Sequence, residues 1–538
     1  MSIACGTRSP VWLSRTEAES LSYRRIREAA RPALALRPGH AAEHIRRDMP
    51  DDSSRPSQPT PVEASGLQGA RLAARIRQSL YALSAPELAA AQEAMRQAGA
   101  RRHLEYFHDG KVEAIRVLPC PITLLPEQLV YLHSIARTLH YALLRLPELY
   151  LGDAAVRDII RLEPAEDEWL RACWTPAVQA RNPVFDRLDC LVDYASPIWK
   201  DTLRFVEPNL TGVGGLYLVP AVEEVVDEVV VPLLTGRDRS LRIGRLADAR
   251  TLLLRELVEH LEIVGRPGGT VCLVEPKYEL EGIDEQRRLV EYYGDRHGIR
   301  MLHADPSELR MKGDEVYCGD TRVDLVYRDY GVLDLAELAE GGWDPEPMRR
   351  LFRENRVISS ISAELDCKAC FELLTDPVVA DRYFTEEERQ VFRHHVLWTR
   401  VVRDRRTALP GGESGDLLEF ARREREWLVL KPSRGYGGEG VLLGQTVTDG
   451  EWCAALDAAL ADEELWVVQR LAQIPVVEVP TLTAEGTLQP EAFYHVMGFA
   501  STDDAIAILA RASQRQVVNV AQRGGMAAVM LVEESLSP

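Results

Sequence analysis

Residues 427–443 run from an apolar segment into a lysine and then into a glycine-rich turn. Lys431 ends the predicted strand, and Gly435, Gly437, Gly438 and Gly440 follow it. Glycine has no Cβ, so backbone N–H groups in such a turn can approach a phosphate that the lysine also holds. A Walker loop is excluded, because there the lysine follows the glycines and a helix begins. The segment therefore predicts a strand, a phosphate-gripping loop and a second strand, with an ordinary glycine-rich hairpin as the alternative.

Two segments that alternate like strands, residues 185–193 and 202–209, carry acidic and amide side chains. The residues predicted to share a face are Arg187, Asp189, Leu191 and Asp193 on the first segment and Leu203, Phe205, Glu207 and Asn209 on the second. A hairpin of the two would bring Asp189, Glu207 and Asn209 together, and Mg²⁺ prefers such oxygen ligands. The alternative is a solvated strand face that ends in a Pro-Asn turn.

A third segment near the carboxyl terminus carries two arginines. Arg511 and Arg523 stand on either side of a predicted apolar strand and a turn of small residues. Guanidinium groups in this arrangement suit a site that closes on anionic groups. Either arginine could instead cap a helix or lie in solvent.

Composition limits the classes of protein that the chain can belong to. Its 538 residues, 46% of them hydrophobic, are enough for two or three globular lobes. The net charge of −19 argues against non-specific nucleic-acid binding, which needs a basic face. No apolar run approaches the roughly 18 residues of a membrane span, and the N-terminus lacks a secretory pattern, so a cytoplasmic location is expected.

The nine cysteines are scattered, which suits reduced thiols. Cys367 and Cys370 form the one C-x-x-C pair. We interpret this pair as structural, because no second pair and no nearby histidines complete a zinc site.

The N-terminal part divides into two regions of different composition. Residues 1–65 combine nine arginines in the first fifty positions with a segment rich in Pro and Ser, which predicts a disordered leader. Residues 17–35 could form a transient helix, and Met49 is an alternative start. Residues 66–180 are predicted to be helical, most clearly over 70–80, 86–99 and 126–146.

Strands and helices then alternate, which indicates an α/β fold. In residues 181–360 helices are predicted over 251–264 and 284–298, and strands over 270–275, near residue 303 and over 323–327. Residues 361–538 contain the glycine turn, a predicted helix over 449–460, and predicted strands over 465–469 and around Phe493 and Ile506. We find no internal repeat.

Four motifs occur in the order found in the circularly permuted ATP-grasp ligases. They are Glu207-Pro208-Asn209, Lys431-Pro432 with its glycines, residues 466–470 (WVVQR), and Arg511 followed by residues 524–528 (GGMAA). Over residues 185–535 the chain resembles this group, which includes eukaryotic glutathione synthetase and the synthetase domain of glutathionylspermidine synthetase. The resemblance implies an ATP-grasp fold with an α/β substrate lobe and an N-terminal helical region.

The resemblance also implies roles for individual residues. The implied ligands of Mg²⁺ are Asp189, Glu207 and Asn209. The implied contacts to ATP are Lys368, Lys431, Gly437, Gly438, Gln469 and Leu471. Arg187, Arg328 and Arg511 match positions that contact the substrate or the acyl phosphate, and Arg328 and Arg511 are the candidates for stabilising the tetrahedral oxyanion.

The chain departs from the family pattern at three places. Gly435 stands where some relatives have an acidic metal ligand, and whether Glu439 replaces it is open. Gln469 replaces the usual glutamate of the adenine strand. Residues 275–288 match the substrate-reading region of glutathione synthetase only loosely, so glutathione does not follow as a product.

The implied activity is an ATP-dependent carboxylate–amine ligase that forms an amide through an acyl phosphate and releases ADP and phosphate. Its partners would be a small-molecule carboxylate and an amine, such as an amino acid, a peptide or a polyamine, and a homodimer is left open. The alternatives are a small-molecule kinase on the same framework and a degenerate, non-catalytic binding protein.

Overall fold

Capping residues fix where several of the predicted helices begin and end. Ser84 accepts a hydrogen bond from the backbone of Glu87, whose carboxylate accepts one from the backbone of Ser84 in return. Gly298 ends another helix in the left-handed conformation, with φ of 66°. The helix predicted over 126–146 ends at Leu143, and the next helix starts at Leu146 with a proline in its first turn.

The computed structural model describes residues 61–108, 110–278, 282–435, 438, 440–483, 486–516 and 524–535. These residues all belong to the unit Thr60–Pro538. The predicted leader lies outside the described residues up to residue 60. Helix covers residues 61–65.

The helices are α1 (Pro61–Tyr81), α2 (Ala85–Arg101), α3 (Pro126–Leu143), α4 (Leu146–Gly152), α5 (Ala154–Ile159), α6 (Pro164–Cys173), α7 (Pro176–Ala180), α8 (Trp199–Thr202), α9 (Leu218–Arg237), α10 (Ala249–Ile263), α11 (Glu285–His297), α12 (Val332–Glu340), α13 (Glu346–Arg353), α14 (Cys370–Thr375), α15 (Pro377–Tyr383), α16 (Glu386–His395), α17 (Leu417–Arg423) and α18 (Asp449–Ala461). The three clearest helices of the N-terminal region, and those predicted over 251–264, 284–298 and 449–460, are confirmed. Among the described residues, no helix is both long and apolar enough to cross a membrane.

The strands are β1 (Glu105–His108), β2 (Lys111–Ala114), β3 (Arg116–Val117), β4 (Ile122–Leu124), β5 (Arg187–Leu191), β6 (Arg204–Asn209), β7 (Leu241–Gly244), β8 (Val271–Val274), β9 (Leu302–Ala304), β10 (Leu309–Lys312), β11 (Glu315–Cys318), β12 (Thr321–Arg322), β13 (Leu325–Arg328), β14 (Val357–Ile358), β15 (Thr399–Val401), β16 (Arg406–Ala408), β17 (Ser414–Asp416), β18 (Leu428–Pro432), β19 (Leu442–Leu443), β20 (Trp466–Arg470), β21 (Val476–Leu482), β22 (Leu488–Ser501), β23 (Ile506–Ser513), β24 (Gly525–Met526) and β25 (Val529–Glu534).

Three sheets matter for the site. The largest has seven strands in the order β3-β24-β23-β22-β5-β6, with β21 paired to β22. A parallel sheet, β14-β13-β8-β9, forms the predicted α/β lobe. An antiparallel sheet, β15-β20-β18-β19, holds the lysine that precedes the glycine turn.

The seven-stranded sheet joins parts of the chain that the sequence separates. β5 pairs with β22 on one side and with β6 on the other, and β3 pairs in parallel with β24. The third sheet has its own apolar core, in which Leu428 and Leu430 of β18 pack with Leu417 of α17 and Trp452 of α18. β6 is thus a sheet edge, and the site is built against that edge.

Candidate active site

The predicted hairpin of β5 and β6 is confirmed. The two strands are antiparallel, with Asp189 opposite Glu207 and Arg187 opposite Asn209. The register then shifts, so that Cys190 lies opposite Phe205. Phe205 is fully buried against Phe499, and the prediction that it shares the face of Glu207 is wrong because of this shift.

The register shift leaves the backbone of Val206 without a partner on β5. Its carbonyl oxygen accepts hydrogen bonds from Lys431 Nζ at 3.0 Å and from Gln469 Nε2 at 3.2 Å. Lys431 and Gln469 lie on the neighbouring strands β18 and β20 and are both buried. The register shift in β6 therefore frees the carbonyl oxygen through which the sheet β15-β20-β18-β19 is hydrogen-bonded to the edge of the seven-stranded sheet.

Burial lowers the pKa of Lys431 to about 8, although the nearby Glu207 carboxylate acts in the opposite direction. Lys368 adds a second positive charge that also lowers this pKa. Two cations held close together in a buried position repel one another, and an anionic ligand would relieve that repulsion.

Lys368 lies in the loop before α14, and its side chain extends to Glu207 and to the start of the glycine turn. Its Nζ donates to the carbonyl oxygen of Gly435 at 2.8 Å and lies 3.4 Å from Glu207 Oε2. Its backbone N–H donates to Ser433 O at 2.9 Å. The two lysines predicted from the resemblance thus meet at Glu207, and one of them contacts the start of the glycine turn.

Asp189 is fully buried between two arginines. Its carboxylate accepts from Arg187 Nε at 2.8 Å and Arg187 Nη2 at 3.3 Å, and it also pairs with Arg511 Nη2. Burial alone would raise the pKa of Asp189, but the two guanidinium groups outweigh it and hold the pKa at about 2. Gly498 of β22 leaves the necessary room, because a Cβ there would lie 2.8 Å from Asp189 Oδ1.

This arrangement bears on the predicted metal ligands. Both oxygens of Asp189 are engaged by guanidinium groups, which disfavours direct ligation of a cation. Glu207 is partly accessible, with 29% of its side chain exposed. The side-chain amide of Asn209 donates to Arg187 O at 3.1 Å, which leaves its Oδ1 as an acceptor. In the described part of the chain, no group of three or more His, Cys, Asp or Glu side chains forms a metal cage.

Arg328 lies apart from this cluster. Its buried guanidinium donates to Ser359 O at 2.7 Å, Ser360 O at 2.8 Å and Tyr330 O at 2.6 Å, and it pairs with Glu364. These bonds use most of its donors, so the geometry favours a role in fixing the turn at residues 359–364. Its catalytic role stays a prediction without support from this geometry.

The remaining predicted residues are placed as follows. Leu471 follows β20 and donates its backbone N–H to Trp427 O at 2.7 Å. Gly438 has a φ of 78°, which a side chain would strain. Gly437, Glu439 and Arg523 lie outside the described residues, so their roles stay predictions. Cys367 and Cys370 are free and buried, in keeping with a structural role.

The sequence did not reveal the residues that anchor the glycine turn. Arg434 forms an ion pair with Glu166 of α6, a carboxylate that is 1% exposed, and also donates to Glu364 O at 3.4 Å. Ser433 Oγ accepts from the backbone of Ala369 at 3.2 Å. The helical region therefore holds the start of the turn, and no local pattern could have indicated a pair of charges 268 positions apart.

Two further carboxylates, on the half-buried Asp366 and the buried Glu285, hold the turn between β6 and α9. Asp366 accepts from Leu210 N at 2.6 Å, and Glu285 accepts from Gly215 N at 2.7 Å and Tyr217 N at 2.6 Å. Burial raises the pKa of both carboxyl groups to about 7, although these backbone bonds act to lower it.

The raised pKa of Glu285 predicts a dependence of stability on pH. Between its ordinary pKa of 4.5 and its folded value of about 7, the folded protein keeps a proton that the unfolded chain has lost. The stability that this proton provides is lost as pH rises through 7. Glu285→Gln has no carboxyl group to titrate at this position. The melting temperature of the variant minus that of the wild type should therefore increase between about pH 5 and about pH 8. Glu291→Gln, on the exposed part of α11, is the matched control, and an equal pH profile for both variants would contradict the assignment.

Comparison with known proteins agrees with this architecture. No family model matches the chain, and no curated protein matches it. Among solved structures, a glutathione synthetase-like effector from Globodera pallida, in its apo form, superimposes with a TM-score of 0.52 at 10% sequence identity. The match covers 84% of this chain and 98% of the other. At this identity the likeness concerns the fold alone, and the chain therefore has a mixed α/β fold like that of this effector.

Proposed function

We propose that the protein is an ATP-dependent carboxylate–amine ligase. The observation that carries this proposal is the meeting of Lys368 and Lys431 at Glu207, beside the start of a glycine turn. In the proposed reaction a carboxylate oxygen of the substrate attacks the γ-phosphorus of ATP, and ADP leaves. An amine then attacks the acyl carbon, phosphate leaves with the carboxylate oxygen, and an amide remains.

The charge of the cluster supports a polyphosphate substrate. Arg187, Arg511, Lys368 and Lys431 supply four positive charges, against the two carboxylates of Asp189 and Glu207. The site is therefore positive by about two charges within a chain of net charge −19. Phosphoryl transfer depends mainly on positioning and charge neutralisation, which such a cluster supplies.

The residues present fit Mg²⁺ in part. Glu207 and Asn209 Oδ1 would hold the ion. Glu207 has one long contact with Lys368, and Asn209 Oδ1 is left as an acceptor, whereas arginines bind both oxygens of Asp189. When bound, Mg²⁺ would neutralise charge on the phosphates of ATP. Asp189 then has a different role, which is to hold Arg187 and Arg511 in place.

Arg511 is the residue best placed to meet the acyl group. Its Nη2 pairs with Asp189, while its Nε is buried and has no hydrogen-bond partner among the described residues. A buried donor without a partner costs free energy unless a ligand satisfies it. We assign to Arg511 the binding of the substrate carboxylate and of the oxyanion that forms when the amine attacks.

The contact between the helical region and the glycine turn predicts an effect on ATP binding. Glu166→Gln removes the negative partner of Arg434 and should loosen the start of the turn. We expect the KM for ATP to rise about tenfold, equivalent to about 1.4 kcal/mol, with a smaller change in kcat.

The matched control for this variant is Glu168→Gln, because Glu168 lies on the same helix and pairs with Arg349 at the surface. Steady-state kinetics at varied ATP concentration measure both variants. A KM for ATP in Glu166→Gln that equals the KM of the control would show that the ion pair does not position the turn.

A non-catalytic nucleotide-binding protein is the second candidate. Two observations favour it: both oxygens of Asp189 are engaged by arginines, and Gly435 stands where an acidic metal ligand is expected. The structural neighbour is itself described as an effector. Such a protein would bind ATP and release no ADP with any substrate.

Substrate-dependent release of ADP tests the two candidates directly. The protein is incubated with Mg-ATP and a matrix of carboxylates and amines, and product masses identify any amide. We expect one pair of substrates to stimulate ADP release and to give an amide of the corresponding mass. ATP binding without turnover across the matrix would favour the non-catalytic protein, and a phosphorylated alcohol would indicate a kinase.

A further inference from the structure

A cavity lies apart from the residues of the candidate active site. It has a volume of about 460 Å³ and is bordered by α3, residues 181–185, α10 and the turn between β22 and β23. None of the predicted site residues lines it. Its volume falls within the range of about 300–1,000 Å³ that is typical of small-molecule sites.

Charged side chains of both signs line this cavity, and most of them are already paired. Arg137 pairs with Asp503, and Arg145 pairs with Glu388. Arg181, Glu256 and the exposed Glu148 also line it. Among the described residues their side chains form no hydrogen bond and no ion pair. The exposed guanidinium of Arg181 and the half-buried carboxylate of Glu256 are therefore free to contact a ligand.

Glu256 lies where a carboxylate needs a cationic partner. Burial raises the pKa of its carboxyl group, and the neighbouring Glu259 raises it further, while Arg181 and Arg137 lower it without forming a bond. A partly desolvated carboxylate without a donor is unfavourable. An ammonium group of a ligand would supply the missing hydrogen bonds and charge.

His140 adds a polar group to the same cavity. Its Nδ1 lies 2.9 Å from Oδ2 of the buried Asp186, and this contact orients the imidazole ring. Nε2 forms no hydrogen bond with the described residues, and the ring lines the cavity. The second ring nitrogen is therefore free to contact a ligand.

The remaining wall suits an apolar or aromatic side chain. Trp174, Leu144, Val184 and Phe185 line the cavity together with Tyr141. A site that offers one free cation, one free anion and an apolar wall matches a ligand that carries a carboxylate, an ammonium group and a side chain.

We propose that this cavity binds a free α-amino acid, with the carboxylate on Arg181 and the ammonium group on Glu256. Phe185 lies two residues before Arg187, so an amino acid in the cavity touches the segment that leads into the strand of Asp189. The binding does not depend on the ligase activity.

Titration of the full chain with single free amino acids tests the proposal. Thermal unfolding first identifies the amino acids that raise the melting temperature by at least about 2 °C, and calorimetry then gives their Kd. Glu256→Gln and Arg181→Met should each weaken binding at least tenfold. Glu262→Gln, which removes an exposed glutamate of α10 that does not line the cavity, should leave the Kd unchanged. Arg511→Met, which removes the arginine of the candidate active site, should also leave it unchanged.

Several results would overturn the proposal. They are the absence of binding by any amino acid, equal binding of the methyl ester or the N-acetyl derivative, and a Kd that Glu256→Gln leaves unchanged. Loss of binding in Arg511→Met with retention in Glu256→Gln would place the amino acid at the active site instead. Binding of polyamines in preference to amino acids would show that the cavity recognises cations.

Discussion

Replacing Asp189 with alanine is expected to lower the free energy of unfolding by about 3–5 kcal/mol, because it leaves two partly buried guanidinium groups without their shared partner. Asp189 is fully buried, and its two oxygens accept from Arg187 and Arg511. The repulsion between the two arginines would add to the loss. Urea denaturation followed by circular dichroism measures the change and needs no knowledge of the substrate.

The matched control is Asp457→Ala, which removes an exposed aspartate that pairs with Arg422. Surface ion pairs contribute about 0–1 kcal/mol, so this variant should unfold almost as the wild type does. If Asp189→Ala and Asp457→Ala had the same urea midpoint, Asp189 would not be holding the two arginines, and its assignment as a metal ligand would become the better one.

Replacing Glu207 with alanine is expected to reduce ADP formation at least about 100-fold while leaving the fold intact. Glu207 lies beside Lys368 and Lys431, and it is the one carboxylate of the cluster that is partly accessible. Its loss removes the main oxygen ligand proposed for Mg²⁺ and reduces the negative charge beside the two lysines. Because the side chain is on a sheet edge and 29% exposed, the melting temperature should change little.

Glu478→Ala provides the matched control, because Glu478 is an exposed glutamate on β21 in the same sheet. ADP release by Glu207→Ala at the level of this control would rule out the role assigned to Glu207. A large fall in melting temperature for Glu207→Ala would mean that the side chain stabilises the fold instead.

The β5 and β6 hairpin could be predicted because alternation fixes which side chains share a face. Asp189, Glu207 and Asn209 meet as the spacing indicated. The register shift at Val206 could not be predicted. It leaves one backbone carbonyl group unpaired between the two strands, and no residue type in the sequence marks that position. That carbonyl nevertheless accepts from both Lys431 and Gln469 and so joins the two sheets.

Sequence spacing also identified charged residues without revealing their partners. Arg328 was predicted at the site, but its guanidinium is engaged by the turn that carries Glu364. Glu166 and Arg434 form an ion pair that fixes the glycine turn, yet they lie in regions that the sequence treats as separate. Partner choice in these cases depends on tertiary packing, and a single sequence carries little information about it.

The roles of Gly437 and Glu439 stay predictions, because both lie outside the described residues. ATP and Mg²⁺ as ligands, a cytoplasmic location and a homodimer also stay predictions.

The transfer of ¹⁸O from a labelled carboxylate substrate tests the ligase proposal most directly. When an acyl phosphate forms and an amine displaces its phosphate, one carboxylate oxygen leaves with the phosphate. Mass spectrometry should therefore find one ¹⁸O atom in the inorganic phosphate, none in AMP, and the other in the amide. Phosphate without ¹⁸O, or label in AMP, would contradict attack of the carboxylate on the γ-phosphorus of ATP.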